Sequence, residues 1–491
     1  MKNKLIVLNI CVLLIVVYLG LKIFQVGVKP VCKHCNVILI SLDTLGAEHL
    51  PCYGYKRDTA QNLCNFARDN IFFSNAFSNA PWTLPSHFSI FTSLYPNHHN
   101  IVEVSASKLD PNITTMAEFF KKNNYKTIYA GPVGDPSLPF DRGIERGFDS
   151  IIETQFEYNL NYWDEGISQL IANNKKKEST FLFLHTYWVH GPYLVNSVPE
   201  VSRKRIYAND SYPDIPLDKP DYYHFSKEFL EYIITKYEGR AEIDYTFEKK
   251  EAQNLVDSLR GAKSLVEAEK IYFKLIPVPA ISYGNLWNFH FDEISDKKVA
   301  YLKDLYDEMI YRLDKKLSMI FDLASKAEFA NDTIIIITSD HGEEFKEHGS
   351  LEHPGDHLYN TITAVPLIMY VPGIKQKKID NLVQSIDILP TVLNLTGIKN
   401  PNNYFDGIDL TDSILGRWFP KQNDYLISEG PNDSIRNDRW KLYVNPGLGG
   451  LNTYELYDLY NDPQEKNNVF LKEPKIVKDL YSNLNKIIYR K

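Results

Sequence analysis

Residues 36–43 read NVILISLD, a short run rich in Val, Ile and Leu that ends in an aspartate. Continuous apolar runs of this length are typical of strands that are buried on both faces of a parallel sheet. Similar runs occur at residues 126–130 (KTIYA), 180–185 (TFLFLH), 333–338 (TIIIIT) and 366–371 (PLIMYV). Helical patterns, such as residues 113–123 and 300–326, lie between them. Strands that alternate with helices predict an α/β fold with a doubly wound, mostly parallel sheet.

The composition is that of a globular protein. Of its 491 residues, 44% are hydrophobic and 24% are charged, which excludes a disordered, collagen-like or polytopic membrane chain. The formal net charge of -8 argues against nucleic acid as a partner. Five cysteines are too few for a disulfide scaffold, and the CxxC pair Cys32 and Cys35 is interpreted as structurally incidental.

The N-terminus carries a candidate membrane segment. Residues 5–21 are apolar apart from Asn9, and Lys2 and Lys4 precede them. With the apolar residues that follow, the span reaches about 20 residues, the length that a membrane-spanning helix requires. A cleaved signal peptide is the alternative, but no small-x-small cleavage site follows the run. Residues 1–30 are therefore predicted to be an uncleaved transmembrane anchor. The protein is expected to be a single-pass membrane protein with its catalytic domain on the extracytoplasmic side.

Three further segments follow the anchor. Residues 36–375 contain the strand and helix pattern and form the predicted catalytic domain. Within it, residues 195–295 are rich in Tyr, Lys and Glu and fit the pattern poorly. They are interpreted as an insertion that caps the active face, and a surface excursion without a role is the alternative. After the linker GIKQKKID, residues 376–491 show shorter strands and turns, which predicts a smaller C-terminal α+β subdomain.

Polar side chains follow three of the predicted strands. Asp43, His185 and the pair Asp340 and His341 stand at strand ends. In doubly wound sheets the chemistry lies at the carboxyl ends of the strands, so these side chains are expected to lie close together. Carboxylates and a neutral imidazole are ligands for a divalent metal ion.

A hydroxyl is available beside this predicted metal site. Thr83 lies just before a probable helix that starts near Ser86, and exposed N–H groups at a helix N-terminus favour anions. One divalent metal ion is therefore predicted, held by Asp43, Asp340, His341 and the oxygen of Thr83. Such an ion would lower the pKa of the hydroxyl and make it a nucleophile. Three oxygens and one nitrogen favour manganese or zinc, and magnesium or calcium is also possible.

Several ordered motifs resemble the sulfatase-like branch of the alkaline phosphatase superfamily. They are NVILISLDTLGAEHLPCYGY, APWTLPSHFSIFTSLYP, FLFLHTYWVHGPY, IIIITSDHGEEFKEHG, AVPLIMYVPG, SIDILPTVLNLTG and WKLY followed by ELYDLYNDPQEKNN. The resemblance covers residues 36–469. It implies an alkaline phosphatase-like fold, with Asp43, Asp340 and His341 as metal ligands and Thr83 in the position of the nucleophile.

The sequence also departs from the sulfatase pattern. In true sulfatases the nucleophile is formylglycine, made from the Cys or Ser of a Cys/Ser-x-Pro-x-Arg motif. Here the motif begins with Thr83, which cannot become formylglycine, and His87 replaces the arginine. One acidic residue of the family's pair after the first strand is replaced by Thr44. What remains resembles the Thr-nucleophile members, such as phosphoglycerol transferases and phosphodiesterases.

The resemblance also implies roles for several histidines. His190, in VHGPY, matches the histidine that contacts the substrate, and it is the predicted general acid because imidazole donates protons near neutral pH. Three more histidines are predicted to bind substrate, namely His87, His185 and His353. His357 is a rival to His353, since the spacing carries one extra residue. Lys441, in WKLY, is interpreted as a solvated residue on an edge strand, and a basic position of the family is the alternative.

The predicted function is a membrane-anchored, metal-dependent sulfatase-like hydrolase of sulfate or phosphate esters that forms a covalent Thr83 intermediate. The expected substrate is a small-molecule, glycan or lipid-linked anionic ester. One alternative is a phosphoglycerol or phosphoethanolamine transferase that acts on cell-envelope glycans or lipids. Another is a catalytically inactive binding protein on the same fold.

Overall fold

The computed structural model describes residues 31–102, 108–133, 138–154, 160–191, 249–263, 295–400, 404–417, 423–446 and 452–488, with a few isolated positions between 193 and 271. The predicted anchor at residues 1–30 and most of the predicted cap at residues 195–295 lie outside these residues. Among the helices within the described ranges, none has the length and apolarity needed to cross a membrane.

An eight-stranded sheet forms the centre of the molecule. Its strands are β1 (Asn36–Leu42), β2 (Ile71–Phe73), β3 (Lys126–Pro132), β4 (Ser150–Thr154), β5 (Thr180–Thr186), β6 (Thr333–Thr338), β7 (Leu367–Tyr370) and β8 (Lys377–Ile379). Their order across the sheet is β8-β2-β7-β6-β1-β5-β3-β4. Only β7 runs antiparallel to its neighbours, so the prediction of a mostly parallel sheet is confirmed.

Helices cover both faces of this sheet. The longer ones are α1 (Gln61–Asp69), α2 (Thr83–Thr92), α3 (Met116–Lys122), α4 (Asn161–Lys175), α5 (Lys249–Arg260), α6 (Asp296–Ser325), α7 (Ile388–Thr396) and α8 (Pro474–Ile488). Shorter helical turns lie at Pro96–His99, Ala327–Ala330, Asn360–Thr363 and Thr411–Leu415. Side chains alternate along β1, so Ile38 and Ile40 pack with α1, α4 and α6, while Val37 and Leu39 pack with α2, α3 and α7. The apolar strand runs are therefore buried on both faces, as a doubly wound fold requires.

The observed element boundaries have local causes. Thr115 and Glu118 form a capping box, so α3 begins at Met116, inside the predicted range of 113–123. Ser295 caps α6, which begins four residues before the predicted position of 300. Helix α2 begins at Thr83 and not near Ser86. Pro85 does not prevent this, because it lies in the first turn, where a helix tolerates proline.

A second sheet forms the C-terminal part of the molecule. Four antiparallel strands, β9 (Leu426–Glu429), β10 (Asp433–Arg436), β11 (Trp440–Asn445) and β12 (Thr453–Asp458), are covered by α8. Strand β8 and helix α7 lie beyond the predicted boundary at residue 375, and both pack with the main sheet. The strands of the small sheet therefore begin only at Leu426.

The interpretation of Lys441 as a solvated edge residue is wrong. Its side chain is buried, and its Nζ lies 2.8 Å from Glu465 Oε1, which is buried as well. The same Nζ donates to Asn360 Oδ1 at 3.3 Å. Burial lowers the pKa of Lys441 to about 8, although the adjacent Glu465 carboxylate favours the charged form. The ion pair joins β11 to the segment that follows β12, and both of its members are hydrogen-bonded to Asn360, where a helical turn begins.

Two disulfides lie among the described residues. Cys32 pairs with Cys35 and Cys52 pairs with Cys64, at Cα separations of 5.4 and 5.3 Å. The CxxC motif is therefore a short disulfide loop directly before β1. The pair formed by Cys52 and Cys64 joins the segment after β1 to α1.

Removing one partner of the buried ion pair should destabilise the protein. Lys441→Met leaves Glu465 as a buried charge without its cation, which typically costs about 3–5 kcal/mol of unfolding free energy. The measurement is urea denaturation followed by circular dichroism. Lys378→Met is the control, because Lys378 is exposed and pairs with exposed Asp380, and it should change stability by about 0.5 kcal/mol or less. Equal stability of the two variants would contradict the prediction.

Candidate active site

Asp43 and Asp340 meet at the carboxyl edge of the main sheet. Each follows the end of one of two adjacent parallel strands, β1 and β6, and both side chains are fully buried. Two backbone N–H groups, those of Thr44 and His341, donate to Asp340 Oδ1 at 3.2 and 2.9 Å. These bonds fix the carboxylate so that its other oxygen, Oδ2, lies 3.5 Å from His341 Nε2.

Thr83 reaches this point from the first turn of α2. Its Oγ1 lies 3.4 Å from Asp43 Oδ2 and 3.4 Å from His341 Nε2. A hydrogen bond holds the helix against the end of β6, because Ser86 Oγ donates to the backbone oxygen of Asp340 at 2.6 Å. The structure therefore brings together all four of the predicted metal-ligating residues.

The ring of His341 is held in the form that a metal ligand needs. Its Nδ1–H donates to Gly342 O at 3.0 Å, so Nε2 carries the lone pair. Burial also lowers the pKa of His341, which keeps the ring neutral at neutral pH. Gly342 is required here, because a Cβ at this position would lie 2.2 Å from Thr361 O.

The donor set fits one divalent cation. Ligand atoms of Asp43, Asp340 and His341 all lie within 4.8 Å of one another, in a place that solvent does not reach. Burial alone would raise the pKa of Asp340, but His341 and His87 lower it below its usual range, so the carboxylate stays ionised. Two close, buried carboxylates and one bare imidazole nitrogen need a positive charge between them.

His87 and His185 lie behind the metal-ligating side chains and do not line an open surface. Both are fully buried. His185 Nε2 lies 3.2 Å from Asp43 Oδ2, to which it donates. His87 Nδ1 donates to Thr83 O at 2.8 Å, and its Nε2 lies 3.0 Å from Ser41 Oγ. In this arrangement the two predicted substrate-binding histidines orient the ligands.

His87, His185 and Asp340 also satisfy the distances of a cation site. However, both ring nitrogens of His87 already take part in hydrogen bonds. This group is therefore less suited to a metal ion than the set that includes His341.

His190 and His353 stand on the other side of His341. The ring centroid of His353 lies 4.4 Å from that of His341 and 4.9 Å from that of His190. Burial lowers the pKa of His190 to about 3, and its Nδ1 donates to Gly191 O. His190 is thus a neutral imidazole with its lone pair on Nε2. Burial lowers the pKa of His353 to about 4.

The sequence interpretation missed the partner of His353. His353 Nδ1 lies 2.9 Å from Glu343 Oε1, and Tyr193 donates to Glu343 Oε2 at 3.1 Å. The next glutamate, Glu344, takes the rival His357 instead, at 2.8 Å. The structure therefore brings His353, and not His357, next to the metal-ligating histidine. The two consecutive glutamates after DHG were the available signal.

Two family profiles match the chain. One, described as Sulfatase, matches residues 35–398. The other, described as N-sulphoglucosamine sulphohydrolase, C-terminal, matches residues 347–490. The first profile spans the main sheet together with Asp43, Thr83, Asp340 and His341.

Known proteins of similar sequence and structure agree with these profiles. Arylsulfatase K of Mus musculus is 24% identical over 479 residues, which cover 92% of this chain and 79% of that protein. The Delta 4,5-hexuronate-2-O-sulfatase of Bacteroides thetaiotaomicron is 23% identical over 480 residues, covering 91% and 86%. The crystal structure of the phosphonate monoester hydrolase of Agrobacterium radiobacter shares the fold, with a TM-score of 0.58 at 19% identity and coverage of 92% and 95%.

Removing a proposed ligand should remove the metal. We expect about one divalent ion per purified chain, and a large loss of bound metal in Asp340→Asn and His341→Gln, since each variant removes one donor from the set. Elemental analysis after extensive dialysis measures this. His357→Gln is the control, because its Nδ1 pairs with Glu344 away from the donor set. Unchanged metal content in both ligand variants would refute the assignment.

Proposed function

The chain belongs to the sulfatase family of ester hydrolases, and we propose that it cleaves sulfate or phosphate esters with Thr83 as the nucleophile and one divalent metal ion as cofactor. One observation carries the proposal. Thr83 Oγ1 lies 3.4 Å from both Asp43 Oδ2 and His341 Nε2, at the beginning of a ten-residue helix. A hydroxyl is thus placed beside a cation-binding set and beside backbone N–H groups that favour a tetrahedral anion.

Each residue of the proposed site has a distinct role in ester cleavage. Asp43, Asp340, His341 and Thr83 would hold the ion, which supplies positive charge that lowers the pKa of the hydroxyl and stabilises the anionic transition state. Thr83 loses its hydroxyl proton, and its Oγ attacks sulfur or phosphorus in line. The bond to the leaving oxygen breaks, and that oxygen takes up a proton and departs as an alcohol. The N–H groups of Thr83 and Leu84, at the beginning of α2, stabilise the charge on the transferred group. Water then attacks the threonine ester and releases sulfate or phosphate.

Manganese or zinc is the favoured ion, and magnesium or calcium is possible. The proposed set contains two carboxylates, one hydroxyl and one imidazole nitrogen. Imidazole suits zinc and the transition metals, whereas calcium prefers shells made only of oxygen.

The substrate is proposed to be a small-molecule, glycan or lipid-linked anionic ester. The names of the relatives, an arylsulfatase and a hexuronate-2-O-sulfatase, support a sulfate ester. Thr83 itself favours the second candidate, the transfer of a phosphoglycerol or phosphoethanolamine group to an acceptor alcohol, because threonine cannot become formylglycine. The complete metal-ligating set disfavours a binding protein without catalysis.

The protein is proposed to be anchored in a membrane with the catalytic domain on the extracytoplasmic side. The apolar run in residues 5–21 supports the anchor. The pairs Cys32–Cys35 and Cys52–Cys64 support the compartment, because disulfides persist in oxidising environments.

Thr83→Ala should lower kcat by roughly 10³-fold or more, because it removes the attacking oxygen. Thr83→Ser keeps a hydroxyl and should retain measurable activity. Aryl sulfates and aryl phosphates are assayed side by side, and the thermal midpoints of both variants confirm folding. Quenched wild-type enzyme should show a sulfuryl or phosphoryl adduct on the peptide that contains Thr83. Near-wild-type turnover by Thr83→Ala eliminates the nucleophile.

Thiol labelling tests the compartment. The full chain has five cysteines, and four of them form the two described pairs. Alkylation of denatured, unreduced protein from its natural host should therefore label only Cys11, and all five should react after reduction. In the same cells, the full chain should sediment with membranes and a chain that lacks residues 1–30 should not. Five reactive thiols without reductant would argue for a reducing compartment.

A further inference from the structure

We infer that a cleft between α1 and α6, far from the candidate active site, binds an uncharged sugar unit of a glycan. The cleft has a volume of about 390 Å³, and residues of both helices line it together with Tyr370 of β7. Small-ligand sites in proteins have volumes of roughly 300–1,000 Å³, so the cleft is large enough for a sugar. The inference goes beyond the proposed ester cleavage and does not depend on the reaction at Thr83.

The cleft lies at the amino edge of the main sheet. Tyr370, at the end of antiparallel β7, pairs with Ile335 near the beginning of β6, whereas Asp340 follows the other end of β6. Asn70, which also lines the cleft, directly precedes β2. The main sheet therefore separates the cleft from Thr83, and a molecule bound in the cleft leaves the candidate active site unoccupied.

Each of the two helices contributes a polar stripe to the lining. On α1, the stripe is formed at helical spacing by Asn62, Asn65, Phe66 and Asn70. On α6, it is formed at the same kind of spacing by Ser318, Phe321 and Ser325. Neighbouring helices normally turn apolar stripes toward each other. Here amides and hydroxyls surround one phenylalanine from each helix, which is the composition of a ligand site.

Aromatic rings form the apolar part of the cleft. The rings of Phe66 and Phe321 are stacked, with centroids 4.4 Å apart and an interplanar angle of 14°. The ring of Tyr370 lies 6.5 Å from that of Phe66, and its hydroxyl donates to Ala330 O. Phe321 and Tyr370 are only half-buried. The C–H groups on one face of a sugar ring can cover these rings and remove apolar surface from water.

Three amide side chains beside these rings have unused hydrogen-bonding capacity. Asn62 Nδ2 and Asn70 Nδ2 each donate to a backbone oxygen, at 3.3 and 2.9 Å, and Asn65 Oδ1 accepts from Arg68 at 3.0 Å. These bonds orient the three side chains. Within the described part of the chain, Asn62 Oδ1 and Asn70 Oδ1 accept no hydrogen bond, and Asn65 Nδ2 donates none. Two acceptors and one donor are therefore available to hydroxyl groups, which both donate and accept.

The charge of the lining excludes an anionic ligand. Among the described residues that line the cleft, none is basic and two are acidic, Asp69 and Asp322. Both are exposed, and Asp69 pairs with Arg68 at 3.1 Å. A sulfate or phosphate group would meet these carboxylates without a cation to bind it. The hydroxyls of an uncharged sugar can instead donate to them.

A cationic ligand fits the cleft less well than a sugar. Aromatic rings and carboxylates also attract ammonium groups, which bind over an open ring face. Phe66 and Phe321 each cover one face of the other ring, and Phe66 is only 8% exposed. A quaternary ammonium ion would also leave the three amides without a partner. An uncharged sugar uses the rings and the amides together.

The experiment measures binding of defined probes to the purified full chain by isothermal titration calorimetry. The probes are cellohexaose, chitohexaose and choline. We expect saturable binding of a neutral hexasaccharide with a Kd of about 1 mM or lower. Phe321→Ala removes half of the stacked pair, and Ser325→Trp fills the rim of the cleft. Both should weaken binding by about tenfold or more, and both should retain wild-type turnover of an aryl ester.

Tyr460→Ala is the matched control. Tyr460 is an aromatic residue that is 82% exposed and does not line the cleft, so this variant should bind the sugar as wild type does. Thermal midpoints report folding. Ser325 is exposed at the end of α6, so Ser325→Trp carries the test if Phe321→Ala fails to fold.

Three results would overturn the inference. The first is the absence of saturable binding of either hexasaccharide at about 10 mM. The second is unchanged sugar binding in the folded cleft variants, which would place the sugar elsewhere on the protein. The third is binding of choline that is tighter than that of both sugars and is lost in the same variants, which would assign the cleft to a cation.

Discussion

Repulsion between two buried carboxylates is the constraint around which this site is organised. Asp43 and Asp340 follow adjacent parallel strands, so the sheet itself forces them together at its carboxyl edge. Every close neighbour reduces the cost of that arrangement. His185 donates to Asp43, while the backbone N–H groups of Thr44 and His341 donate to Asp340. The imidazoles behind the two carboxylates thus help to balance their charge, and the donor set is suited to a cation.

The parts of the fold that were predictable are those set by local pattern. Residues such as Ile336 and Ile337 lie in an apolar run that is buried on both faces, and this run alone specifies a central parallel strand. The metal-ligating set was predictable for the same reason, since strand ends in a parallel sheet share one edge. All four of its residues meet in the structure, and their donor atoms suit one divalent cation.

What the sequence could not predict depends on direction in three dimensions. His87 lies one helical turn after Thr83, and only the packing of α2 shows that its ring is fully buried behind the carboxylates. Lys441 lies on a strand whose outer face is covered by the turn at Asn360, a contact between residues 81 positions apart. Glu343 and Glu344 are consecutive residues of the same type. Only the path of the chain shows that Glu343 contacts His353 beside the site, whereas Glu344 contacts His357.

The crowding at Gly342 links the two sheets mechanically. Its backbone N–H donates to Ile362 O at 2.6 Å, and there is no room for a side chain beside Thr361. The same turn is clamped from the C-terminal side, where Glu465 accepts from Asn360 N at 2.6 Å. The turn at Asn360–Thr363 therefore contacts the C-terminal part of the chain on one side and Gly342, the neighbour of His341, on the other. The position of the His341 ring therefore depends on residues from both parts of the chain, and a change near Glu465 would be felt at the edge of the main sheet.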